Sequence, residues 1–125
     1  MPSNPLQNTG FSLQRLNLQT SSYLKILHTI ASSAAKNATE AYQTNHGEDY
    51  YCGFAWVTVR EKASTKLGRA LKSIGFTKAY GGGMQLWNPS GTMSQSKTLK
   101  EVGALAYADV LNKAGITAYV GSAAH

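Results

Sequence analysis

The ten residues Tyr51-Cys52-Gly53-Phe54-Ala55-Trp56-Val57-Thr58-Val59-Arg60 decide how the fold is read. They are rich in β-branched and aromatic types and alternate with period two. Cys52, Phe54 and Trp56 point one way; Tyr51, Ala55, Val57 and Val59 point the other. Both faces are apolar, which predicts a central strand covered on both sides, with Trp56 in the core and Cys52 as inert buried packing.

Downstream of this strand, Leu67, Ala70, Leu71 and Ile74 form the apolar stripe of a helix starting near Ser64, with Gly75 at its C′ position. Residues Phe76 to Trp87 read as a second strand interrupted by Gly81-Gly82-Gly83, and Asn88-Pro89-Ser90-Gly91 is a turn. A further helix runs from about Ser96 to Ala114, with Leu99, Val102, Gly103, Ala106, Val110 and Ala114 inward, and Gly115 closes it. Ile116 to Val120 alternates again as a last strand.

Upstream, His46-Gly47-Glu48-Asp49 is a loop. Before it lies an amphipathic helix capped by Thr20 or Ser21, with Tyr23, Leu27, Ile30, Ala34, Ala38 and Ala41 as its stripe and Leu24, Ala31, Ala35 and Tyr42 beside them. Its alanines permit close approach to a sheet or another helix. Residues 1–19 read as an arm, broken by Pro2, Pro5 and Gly10, whose Phe11, Leu13, Leu16 and Leu18 suit docking on the domain or on a second copy. The sum is an arm and one domain over 20–125, α/β or α+β. Its order is α-β-α-β-α-β, and a three-stranded sheet is packed by helices. So small a sheet, with the arm and the alanine-lined helix, suggests a homo-oligomer, a dimer first.

A chain of 125 residues fits one core. One cysteine allows no intramolecular disulfide, which suits a reducing cytosol. No apolar run approaches the roughly 20 residues of a membrane span, and the first twenty residues lack the layout of a signal peptide. Twelve Lys and Arg against six Asp and Glu give a net charge of +6, which draws in anions or simply keeps the chain soluble. Half of the basic residues, Arg60, Lys62, Lys66, Arg69, Lys72 and Lys78, fall in one short stretch.

Gly81-Gly82-Gly83 suits backbone approach to a phosphate, although it has neither the Walker spacing nor a Gly-x-Gly-x-x-Gly form; a strand bulge is the plainer account. Lys78 and Tyr80 precede the glycines, and Gln85 and Trp87 follow, a combination fitted to a flat anionic ligand. Lys62, Lys66 and Arg69 share one helix face, which is either solvated or pairs phosphates. Gln95, Lys97 and Lys100 lie at the start of the last helix, where cations oppose the helix dipole, a weak pointer to an anion there. Trp56, Tyr80, Trp87 and Tyr119 are the aromatic types that stack on bases, Trp87 being the better candidate beside its turn. Cys52 and His46 lack an orienting third group, the three histidines have no metal spacing, and the few carboxylates make no acid/base pair. Catalysis is poorly supported, and no cofactor is indicated.

Cys52-Gly53-Phe54-Ala55-Trp56-Val57, Lys78-Ala79-Tyr80-Gly81-Gly82, Trp87, Gln95, Val110-Leu111, Ala114-Gly115-Ile116 and Ala118-Tyr119 together resemble a family of small uncharacterised proteins of tailed bacteriophages. The resemblance covers roughly residues 50–122. It implies a phage product acting in the cytoplasm of an infected bacterium and brings no assigned activity. The chain departs from it at Ser122-Ala123-Ala124-His125, where the family pattern has Ser-Arg-x-Asp. The resulting expectation is a non-enzymatic protein whose Lys66, Arg69, Lys78, Tyr80, Gly81, Gly82, Gly83, Gln85, Trp87, Gln95 and Lys97 bind a small nucleotide-derived ligand, as a sponge for a host immune signal. Its rivals are a nucleic-acid-binding accessory protein, with the same residue types spread along a surface, and a protein inhibitor of a host enzyme.

Overall fold

In a computed structural model the chain is described over residues 20–124. There the order is α1 (Thr20–His46), β1 (Gly53–Val59), α2 (Lys66–Ser73), β2 (Thr77–Lys78), β3 (Met84–Trp87), α3 (Lys97–Lys113) and β4 (Ala118–Ala124). The arm read over residues 1–19 lies outside the described residues. Over the described residues this is a small α+β domain of three helices and a four-stranded antiparallel sheet.

The strand expected over 76–87 is a hairpin, so the sheet has four strands and not three. Ala79 N–H donates to the Gly83 carbonyl and Gly82 N–H to the Ala79 carbonyl, which turns the chain at the glycine run. Strand order is β2-β3-β1-β4. Trp56 stands opposite Trp87 on one side and Gly121 on the other, and Thr58 stands between Gln85 and Tyr119. A β-α-β-β-α-β chain with this order has the split β-α-β, or ferredoxin-like, plan, here preceded by α1.

The helices after β1 begin and end in the same way. Thr65 caps α2 by accepting from Gly68 N–H at 3.0 Å, and Ser96 caps α3 by accepting from Leu99 N–H at 3.2 Å. At the far ends Phe76 N–H returns to the Leu71 carbonyl and Gly75 N–H to that of Lys72; Ile116 returns to Leu111 and Gly115 to Asn112. These are paired Schellman closures. Each seats a buried residue, Phe76 or Ile116, at the entry to the next strand.

All three helices lie on one side of the sheet. Ala55, Val57 and Val59 of β1, Met84 of β3 and Ala118 of β4 are buried there with Leu71, Phe76, Tyr107 and Leu111. α1 packs along α3 and α2. Its buried stripe is Leu24, Leu27, Ala31, Ala35 and Thr39, turned from the one expected; Ile30 is exposed. The alanine side is therefore used inside the chain, against α3. A Cβ added at Gly103 of α3 would lie 2.7 Å from Ser90 Cβ and 2.9 Å from Thr39 Oγ1, so α3 is bare here to admit the Ser90 turn and the Thr39 side chain of α1.

Gly103→Val should therefore separate α1 from α3 and cost about 1–3 kcal/mol of stability, read as a lower urea midpoint with the slope unchanged. A midpoint like the parent's would contradict this account of the helix pair.

Candidate functional site

The pleat that buries one side of β1 presents Phe54, Trp56 and Thr58 on the other, away from the helices. The alternation of burial along Gly53–Val59 is complete: every second residue is buried and those between are not. Trp56 is thus on the open face, not in the core, and β1 is covered on one side only. The same register brings Gln85 and Trp87 of β3 and Tyr119 and Gly121 of β4 to this face. Phe54 is 40 %, Trp87 48 % and Tyr119 50 % exposed.

These aromatics form a connected platform. The Trp56 and Trp87 ring centroids are 4.7 Å apart, and Phe54 meets Trp87 edge-on at 5.9 Å. A Cβ on Gly121 would fall 2.4 Å from Trp56 Nε1, so the Trp56 indole lies directly against the β4 backbone. The Arg60 guanidinium sits 5.3 Å from the centre of the Tyr119 ring, a cation–π contact. At the other end of β1, Lys100 Nζ donates to the Gly53 carbonyl at 2.8 Å and lies 5.2 Å from the Phe54 ring centre. A cation thus stands at each end of the platform, Arg60 over Tyr119 and the buried Lys100 by Phe54.

Where β1 leaves the sheet, a cavity of about 590 Å³ opens beside the hairpin, lined by Thr58, Arg60, Glu61, Lys62, Ala79, Gly81, Gly82, Gly83 and Gln85. It gathers the glycine run and Gln85 as the sequence suggests. The other expected ligands lie elsewhere. Lys66 is exposed at the start of α2, and the Arg69 guanidinium turns back to the Ser64 carbonyl. Lys78 stands opposite Met84, whose side of the sheet faces the helices. Tyr80 is fully exposed at the hairpin tip. Trp87 is on the platform, two residues beyond Gln85. Gln95 and Lys97 belong to the opposite end of β1: the Gln95 carbonyl accepts from Gly53 N–H, and Lys97 pairs with Glu101 at 3.0 Å.

The dipole argument for an anion at the start of α3 is answered from within the chain. The Ser96 hydroxyl donates to one Asp49 carboxylate oxygen at 2.8 Å and the Thr98 hydroxyl to the other. These bonds, Thr98 first, hold the Asp49 carboxyl below its usual range. Phe54, Thr58 and Arg60 were missed as site residues; Trp56 was assigned to the core, and Lys62, expected on one helix face with Lys66 and Arg69, lies ahead of α2. The signal that could have found them is the parity shared by Phe54-x-Trp56-x-Thr58 and Tyr119-x-Gly121, large rings facing a glycine across the strand pair.

Cys52 is exposed and forms a bridge with Ser96, contrary to the buried role expected of it. The His46 ring packs on Tyr42 at 4.5 Å. A second histidine looks more like chemistry. Ser32 Oγ lies 3.4 Å from His28 Nε2, and His28 Nδ1 lies 2.7 Å from the Tyr107 hydroxyl. Burial pushes the Tyr107 hydroxyl far above its ordinary pKa, so it stays protonated. Through the ring, Ser32 of α1 is joined to Tyr107 of α3. The trio ties α1 to α3. Among the described residues no group of three or more His, Cys, Asp or Glu is placed to hold a metal, and no helix is long and apolar enough to cross a membrane. The chain matches no family model, no curated protein and no solved structure.

Two outcomes follow from this geometry. Gly121→Ala should push the Trp56 indole off β4 and disturb its contact with Trp87, changing the near-UV circular dichroism; an unaltered spectrum would contradict the contact. Burial holds His28 below its reference pKa of 6.5, so the unfolded chain takes up the proton first. Stability is then highest above about pH 6.5 and falls below it. The melting temperature should drop between about pH 7.5 and pH 5.5, above the range where Asp49 and Glu101 titrate. His28→Gln should flatten that drop.

Proposed function

We propose that this protein binds single-stranded nucleic acid without catalysing a reaction, laying bases on the open face of its sheet. The observation that carries the reading is the platform of Phe54, Trp56 and Trp87 on the two central strands, continued by Arg60 stacked on Tyr119. Half-exposed rings gathered on one face mark an interaction surface. Nucleobases are the flat, polarisable partners that such rings take, at about 1–3 kcal/mol per base stacked. Four-stranded sheets of the RNA-recognition type stack two or three bases in this way on aromatics of the sheet face. The net charge of +6 adds attraction for a polyanion. The resemblance to tailed-phage proteins sets the activity, within the same proposal, in the cytoplasm of an infected bacterium.

One observation favours a second reading. The cavity beside the glycine hairpin, with Arg60 and Lys62 in its wall, is large enough for part of a single nucleotide. A nucleotide sponge would use it together with the nearest rings. The platform reaches well beyond that cavity, and it supports the longer ligand.

Trp56 and Trp87 are the only tryptophans in the chain, so intrinsic fluorescence reports the site directly. Short single strands of RNA or DNA should quench it, with an affinity that falls steeply as salt rises. Duplexes should bind far more weakly. Trp87→Ala should weaken strand binding by about 1–3 kcal/mol at an unchanged melting temperature. Mononucleotide binding with no response to any strand would overturn this reading in favour of the sponge.

A further inference from the structure

Resting on the sheet-face reading, we infer that the cavity beside the glycine hairpin is a phosphate subsite that takes the terminal phosphate of the bound strand.

Its place at the end of the platform is the first argument. Thr58 and Gln85, which form part of its wall, are the open-face residues next to Trp56 and Trp87 along β1 and β3. A strand lying along the rings reaches the cavity next. The face stops there: β1 ends at Val59, β3 begins at Met84 and β4 at Ala118, and these three stand side by side. The site is thus at a terminus of the surface, suited to a terminus of the ligand.

The chemistry of its wall is the second. Arg60 and Lys62 bring two cations against one carboxylate, Glu61, whose Oε2 accepts from the Thr65 hydroxyl at 2.6 Å. Thr58 adds a hydroxyl and Gln85 an amide. Arg60 lines the cavity while its guanidinium rests over Tyr119 on the β4 side, so it adds positive charge at the cavity's edge and Lys62 is the cation nearer the hairpin. A terminal phosphate carries close to two negative charges and three acceptor oxygens. An internal phosphodiester carries one charge and two free oxygens, so this wall favours the terminal group.

The third is the glycine run. A Cβ at Gly83 would lie 2.9 Å from the Val59 carbonyl oxygen, and Gly83 has φ +80°, so only glycine lets the hairpin close against β1 here. At Gly81 and Gly82 an added Cβ would meet nothing within 4 Å. Gly82 is required by its φ of +103°, whereas Gly81 is demanded neither by a neighbouring atom nor by a positive φ, and both leave exposed backbone at the cavity.

The test compares short single strands that carry a 5′-phosphate, a 3′-phosphate or neither, read as the ratio of affinities by tryptophan quenching. Phosphorylation of one end should tighten binding by about tenfold, and the preferred end gives the direction of the strand on the sheet. Lys62→Ala should lower the ratio, while leaving the Lys62 carbonyl that anchors Thr65. Glu61→Gln keeps an acceptor for Thr65 and should raise it. A ratio of one, with all strands still bound, would overturn the phosphate subsite and leave the sheet-face reading intact. So would a high ratio that neither variant moves, or a free mononucleotide that binds as tightly as the phosphorylated strand. Failure of every strand to bind would overturn the sheet-face reading itself.

Discussion

The structure depends on the pleat of β1. Gly53, Ala55, Val57 and Val59 are small or β-branched, and they fit beneath α3 with the sheet close to the helix. Because side chains alternate strictly along a strand, burying that set commits Phe54, Trp56 and Thr58 to the opposite side. A shift of one residue would place two large rings under the helices and leave the valines outside. Backbone pairing with β3 on one side and β4 on the other holds that register. The core and the candidate site are thus two faces of one choice.

The helical layer supports that choice without touching the platform. The two Schellman closures deliver Phe76 and Ile116 to the core just before β2 and β4, and the small residues at Ala31, Ala35 and Gly103 let α1 lie close to α3. His28 and Tyr107 join the same pair of helices through a part-buried polar bond. Asp49 seals the start of α3 with the hydroxyls of Ser96 and Thr98. Each device serves folding, which leaves the open face as the place where large side chains have no evident structural duty.

Much of this was legible in the sequence. Ser96 as the start of the last helix, Gly75 and Gly115 as helix ends, and the strand around Trp56 stand as expected. The hairpin was not, because Gly81-Gly82-Gly83 interrupts an apolar run that is equally well read as one bulged strand. Trp56 went to the core because periodicity reports that two faces are apolar, not which is covered. Cys52 followed the same error. The glycine cavity was half legible: Gln85 and the glycines meet there, but Arg69 and Lys78 do not, since proximity in sequence says little about which side of a sheet a cation takes. Lys97 and Gln95 fell at the wrong end of β1 for the same reason.

The most direct test of the central claim is photochemical cross-linking of a short single strand to the intact protein, followed by peptide mapping. The account predicts adducts at Trp56 and Trp87, with Phe54 and Tyr119 beside them, on β1, β3 and β4. Adducts confined to the helices, or to residues 1–19, would contradict it.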